Sequence, residues 1–574
     1  MKRIYTLLLL SAATLTMNAT VKPRYRTATT APWVQTEESA DADHHHQRRT
    51  VGVHDLASLG SMGSPNVPVI LVQFADKKFI SGLPEGEQCE TQEQADMVGD
   101  FYDLFCNGLR DDAGYCTEIG SFGAIREFFR DQSAGQFTPN FHVIGPVTLD
   151  QGYAYYGKNS GTRKDVNIKE FYKESLLKAQ ELQEDWTIFD NNSDGTIDMA
   201  FFIFAGEGEN GGGGANTIWP KEEANGGTIE GVTYGCYACC NETYKEETDG
   251  IGVFVHELSH ALGLPDFYDY NYVAYGLDYW DVMDSGCYCQ DGAHPCGYSA
   301  YEKDFMGWQP LITLSPEEAQ HLVLAPQHAG GQAYKIVNPD NANEYFIIEN
   351  RQNELWDTYI GRGTERTKMH GLLISHIDFT QGSWTGNRLN STRSHQRYSV
   401  IPADGNLYSY MNVTNTPEYN DFFLSVIGDL FPGAHEVTEW AGTESVDMAY
   451  RTTETVTETV TETIDGEEVT HEVTKTVEVF KTQTLPVTYN GSELNQPLRN
   501  IVELEDGTIE LDYCPDGKVP TAIAAAPVCD QRNATLYTLS GQAIGTVRMQ
   551  GQHPNLDALP AGIYIVNKQK YVVR

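Results

Sequence analysis

Between Val253 and Asp269 the chain reads VFVHELSHALGLPDFYD. In a helix, residues four apart stand one turn above each other, so His256 and His260 can reach a single ion at about 2.0–2.1 Å. Glu257 sits one residue further round, displaced from that coordination but close enough to touch a water on the ion. Phe254, Leu258, Ala261 and Leu262 can bury the same helix against a domain. Gly263 is where the helix should stop, because a left-handed turn costs glycine little. The chain can then double back and offer Asp266 as an oxygen ligand; Asp269 is a second carboxylate within reach. Two histidines and a carboxylate leave a fourth position open, which suits a catalytic zinc better than a structural one. Zinc held in this way lowers the pKa of its water towards ~7, and Glu257 lies where it could meet that water. An accidental HExxH occurs on the order of a few times per hundred such chains, and the fixed glycine and aspartate reduce that roughly a hundredfold.

A second group of oxygen ligands lies upstream in DNNSDGTID, residues 190 to 198. Asp190, Asn192, Asp194 and Asp198 are spaced like the first nine positions of an EF-hand loop, with Gly195 at the sharp turn. Position twelve is Phe201, which excludes a full EF-hand. A shorter structural calcium loop feeding into a strand is expected, with an ordinary Asx turn as the alternative. His44, His45 and His46 form a polar tract that a solvated loop explains better than a metal does.

These groups have to be held by folded units. At 574 residues, with 40% hydrophobic and 11% aromatic residues, the chain has material for three or four packed units. Its net charge of −41 and pI of about 4.6 exclude a nucleic-acid binder, which needs a basic surface. Residues 1–19 pair Lys2 and Arg3 with a short apolar run, the pattern of a signal peptide, and no later segment is long and apolar enough to span a membrane. The expected location is therefore secreted or cell-surface. Residues 20–64 read as a linker or short propeptide, with Arg48-Arg49 as a cleavage point. Eleven cysteines, six of them between Cys236 and Cys296, suggest disulfides in an oxidising compartment.

From VPVILVQFAD onward the pattern becomes globular. GAIREFFRDQ and VNIKEFYKESLLKAQEL have helical spacing, and MAFFIFAG reads as a buried strand whose edge would be available to an extended peptide. A mixed unit is expected over 65–310. Short alternating strands then predict a mostly β unit over 311–515, interrupted at 453–480 by a Thr/Glu-rich hairpin turning at Asp465-Gly466. Residues 516–574 form a separate small β module. The fold class is α+β.

Downstream of the histidines, YWDVMDSG places Met283 in a tight turn. HELSHALGLPD with a following methionine turn resembles the metzincin clan, and HELSHALGLPDFYD resembles the immune inhibitor A family of secreted metalloproteases. VPVILVQFADKKF, YYGKN, DNNSDGTIDMAFFIFAG, EYFIIENRQNELWDTYI and GLLISHID extend the resemblance over roughly 64–430. It implies a metzincin-like zinc endopeptidase acting on protein or peptide substrates. His256, His260 and Asp266 would bind zinc, Glu257 would be the base, and Met283 would floor the site. LPAGIYIV with KYVV resembles the C-terminal β-sandwich sorting domains of the type IX secretion system, which would make that machinery a partner. A non-catalytic adhesin built on a protease-like scaffold is the alternative function.

Overall fold

The computed structural model describes residues 57–520, apart from 110–113, 270–273, 363–368, 409–425, 465–466 and 492–493, together with the strands between 533 and 573. The signal-peptide segment, the linker, Arg48-Arg49 and the histidine tract lie outside the described residues.

The central sheet contains β1 (Asn66–Gln73), β2 (Asn140–Thr148), β3 (Ile197–Glu207), β4 (Lys221–Glu223), β5 (Gly227–Ile229), β6 (Val232–Tyr244) and β7 (Glu247–Thr248). Its order is β2-β1-β3-β6-β4, with β5 and β7 also paired to β6. β1 runs parallel to β2 and β3, and β3 parallel to β6, whereas β4 is antiparallel. The architecture is thus mixed α/β with several sheets and few helices. The expected α+β segregation does not hold in this sheet, because helices intervene between parallel strands.

Side chains of β3 alternate between two cores, as a strand covered on both faces requires. Met199, Phe201, Ile203 and Ala205 face one core with Phe254 and Leu258 of the motif helix; Ala200, Phe202 and Phe204 face another with Phe171 and Leu176. Phe201 and Phe254 stack with ring centroids 3.6 Å apart, which seats the motif helix on the sheet. β3 is interior, between β1 and β6, so it has no free edge; the edge beside the motif helix is β4.

The cysteines do not bear out the expectation of disulfides. Ten fall among the described residues, all buried and none cross-linked. Cys236 and Cys240 face one side of β6 and Cys239 the other, each inside an apolar cluster, where a thiol packs as a small hydrophobe.

Beyond 310 the chain turns to sheets of mostly antiparallel strands, such as Asn341–Arg351 against Gly371–Asp378. The hairpin is longer than its repeat: Val446–Ile464 pairs with Glu467–Leu485, 19 residues a side. Its base is buried through Val446, Met448 and Leu485, while Thr453, Thr455 and Thr457 are exposed. The C-terminal strands, from Asn533–Thr538 to Gln569–Val573, form one five-stranded sheet.

Since, among the described residues, the hairpin is anchored at its base, replacing residues 455–476 by a two-residue turn should leave the thermal midpoint unchanged. A clear drop by calorimetry would show that the outer half supports the body.

Candidate metal centre

The motif helix, Gly252–Ala261, is buried along its whole length. Its start is clamped: a Cβ on Gly252 would lie 1.9 Å from the Cys287 carbonyl oxygen, and the Gly252 N–H donates to Gly292 O. At the other end Gly263 takes φ +98°, and the chain reverses there. Leu264 then presents its carbonyl to His260 Nδ1 at 2.8 Å, while Val282 O accepts from His256 Nδ1 at 2.9 Å. With both Nδ1 atoms engaged by carbonyls, both Nε2 atoms are left for a third party.

That third party is Asp266. Its Oδ1 lies 3.0 Å from His256 Nε2 and 3.2 Å from His260 Nε2. Tetrahedral zinc with bonds of about 2.0–2.1 Å separates its ligand atoms by roughly 3.3 Å, so these donors have the spacing and chemistry for such an ion. All three residues are buried, and among the described residues theirs is the group of His, Cys, Asp and Glu that can hold a metal. Asp269 is not drawn in; its Oδ2 accepts the Ala274 N–H at 3.1 Å.

Electrostatics follow the geometry. Burial alone would depress His256, but hydrogen bonds to Asp266 and to the Cys287 thiol hold it well above its ordinary value. Burial would raise Asp266, yet His260 and His256 keep it well below the usual carboxylate range. Glu257 is pushed up to about 8, first by burial, against the opposing influence of His256 and with Asp266 and Glu222 adding to the rise. Its Oε2 is buried with no hydrogen-bond partner among the described residues.

Sequence reasoning missed Asn387. Its Nδ2 donates to Asp266 Oδ2 at 2.5 Å, and its Oδ1 accepts the Asp266 N–H at 2.7 Å. No motif marks this residue, which is 121 positions away in sequence. Also missed was the edge residue Glu222, which pairs with Ala238 and so lies on the sheet face toward the motif helix. Met283 is fully buried, and its carbonyl accepts the Phe267 N–H at 2.9 Å. Tyr288 lines the cavity over His256 and Glu257.

The expected calcium loop finds no support. Asp190 accepts the N–H groups of Asp194 and Gly195, and Asp194 that of Thr196. Asn192 also accepts from Asp194 N, while Asp198 Oδ2 takes the Asn191 amide. The polar side chains accept from the loop's own backbone, as in an Asx turn.

Residues 54–310 match the family described as immune inhibitor A peptidase M6, catalytic domain. The segment that carries the metal centre is thus similar to a peptidase M6 catalytic domain. Over 282 residues the chain is 28% identical to the pre-pro-metalloprotease PrtV of Vibrio cholerae, covering 43% of this chain and 30% of that protein. Over 299 residues it is 29% identical to Immune inhibitor A of Bacillus thuringiensis subsp. alesti, covering 45% and 43%. The chain therefore spans less than half the length of these curated relatives.

Asn387→Ala should weaken metal binding by about 10- to 100-fold, measured by chelator competition, because Asp266 loses the amide that aims it. Lowering the pH should also weaken it. Asp266 holds His256 protonated well above the ordinary histidine value, and an ion must displace that proton, so affinity should fall up to about tenfold per pH unit below that point.

Proposed function

We propose that this protein is an exported zinc endopeptidase that hydrolyses peptide bonds of extracellular proteins. The observation that carries the reading is Glu257: a buried carboxyl beside the ligand cluster, with Oε2 unpaired among the described residues. A buried acceptor left unpaired needs an explanation, and beside a ligand cluster a catalytic role supplies one. The kinship with proteins named as metalloproteases supports the same reading.

His256, His260 and Asp266 would hold the ion. Zinc, when bound, supplies a Lewis acid that polarises a carbonyl and acidifies water. Glu257 is raised to about 8 without an ion, and a nearby dication favours its anion. As the carboxylate, Glu257 accepts a proton at Oε2 from the attacking water and returns it to the leaving amine. Glu257, not the ligands, performs the proton transfer. An extended substrate would run along β4, the edge strand beside the motif helix, and add a strand to the sheet.

Export rests on the charged and apolar pattern of residues 1–19 and on the resemblance of the C-terminal module to type IX sorting domains. No described helix is long and apolar enough to cross a membrane.

Glu257→Ala should reduce casein cleavage by about 10²- to 10⁴-fold or more while leaving bound zinc unchanged, and 1,10-phenanthroline should abolish wild-type turnover. Equal turnover by both proteins would falsify the assignment. If both bind zinc and neither cleaves, the non-catalytic scaffold becomes the better reading.

A further inference from the structure

The turn that carries Met283 serves the ligand cluster through its backbone. Val282 O holds His256 Nδ1, and Met283 O holds the N–H of Phe267, next to Asp266. One ligand on the helix and one on the following loop are therefore both referenced to residues 281–283. Whatever fixes that turn fixes the distance between them.

Asp281 fixes it. The residue is fully buried; its Oδ1 accepts the Met283 N–H at 2.7 Å, and its carbonyl accepts from Asp284 and Gly286. Its carboxyl faces the carboxyl of Glu302 on the helix Ala300–Phe305, and each acts on the other's protonation. Glu302 is equally buried, and its Oε2 accepts the N–H and hydroxyl of Ser299 at 2.7 and 3.0 Å. Asp281 Oδ2 and Glu302 Oε1 are the remaining oxygens, both buried, and no donor among the described residues meets either. Ser299 supplies only one hydroxyl hydrogen, lying near Asp281 as well.

An ionised carboxylate only accepts, so two carboxyls can bond to each other only with a proton between them. The neighbouring charges do not remove that need. Arg351, fully buried on a neighbouring strand, pairs with Asp357 at 2.9 Å and lies 3.6 Å from Glu349; its charge lowers Asp281, but burial outweighs it. Lys303, on the same helix as Glu302, donates to Gln327. Tyr298 and Tyr398 complete the surroundings, with Tyr398 donating to Ser299. Burial raises both carboxyls, and the Asp281 charge raises Glu302 further.

We propose that Asp281 and Glu302 share one proton and together act as a positioning pair, through which the helix Ala300–Phe305 holds the methionine turn, and the turn holds His256 and Asp266 in register for the ion. Neither residue touches substrate or metal. The inference rests on the metal-centre reading above but concerns different residues.

The test compares wild type, Glu302→Gln and Glu302→Ala as full chains. Glutamine reproduces the pair without a proton: its oxygen accepts from Ser299, and its amide donates to Asp281. Glu302→Gln should therefore retain wild-type metal affinity and the wild-type absorption spectrum of the cobalt-substituted protein. Glu302→Ala should bind metal about 10- to 100-fold more weakly, with an altered cobalt spectrum.

The pH dependence separates this from simple packing. A carboxyl raised in the folded state adds stability that is present below its ordinary value and lost as pH rises through the raised one. Wild type should thus lose thermal midpoint as pH rises above the ordinary carboxylate range, and Glu302→Gln should lose less. At neutral pH, wild type should also show an infrared band of a neutral carboxylic acid that Glu302→Gln lacks. Identical pH profiles and infrared spectra for these two proteins would overturn the shared proton, even if Glu302→Ala fails to fold. A folded Glu302→Ala with wild-type affinity and cobalt spectrum would overturn the positioning role. If wild type binds no metal at all, the metal-centre reading fails, while the profiles and the infrared band still decide the pair.

Discussion

A buried imidazole can give one nitrogen to an ion only if its other nitrogen is satisfied by the protein. Everything around the candidate metal centre answers to that constraint. His256 Nδ1 is met by a carbonyl of the methionine turn, and His260 Nδ1 by the carbonyl just past the helix end. The first bond requires the turn to lie against the helix; the second requires the reversal at Gly263. Both imidazoles then face Asp266 within 3.2 Å, and the helix keeps its apolar side for the sheet.

The same constraint spreads outward. Asp266 needs its own second oxygen satisfied, and Asn387 supplies the amide. Asn387 lies beyond the stretch that matches the peptidase family, so residues outside that stretch help to shape the metal centre. The chain after 310 in this sense contributes to the site's support. The methionine turn is backed in turn by Asp281, Ser299 and Glu302, so that the chain from ion ligand to buried carboxyl pair is continuous.

The local elements were legible because periodicity and turn chemistry are local properties. VNIKEFYKESLLKAQEL folds as the helix Ile168–Gln180, and VPVILVQ lies in β1. The hairpin pairs residue for residue across its Thr and Glu repeat. Misreadings arose where the outcome depended on neighbours. MAFFIFAG is a strand, but whether it has a free edge is decided by its flanking strands, and both sides of β3 are occupied. The cysteines looked like a disulfide set by number and compartment, yet alternation along β6 sends adjacent ones to opposite faces. The aspartate-rich loop had the spacing for calcium, but its side chains bond its own backbone first.

The sequence by itself determined the helix that sets two histidines on one face, the glycine that ends it, and the carboxylate that follows. Spacing along a helix of fixed pitch leaves those side chains little choice. Only the tertiary structure decided that Asp266 rather than Asp269 meets the histidines, that Asn387 holds it, and that β4 is the edge beside it. Those outcomes depend on contacts between residues far apart in the chain, where no short-range rule fixes distance or direction, and packing alone selects the partner.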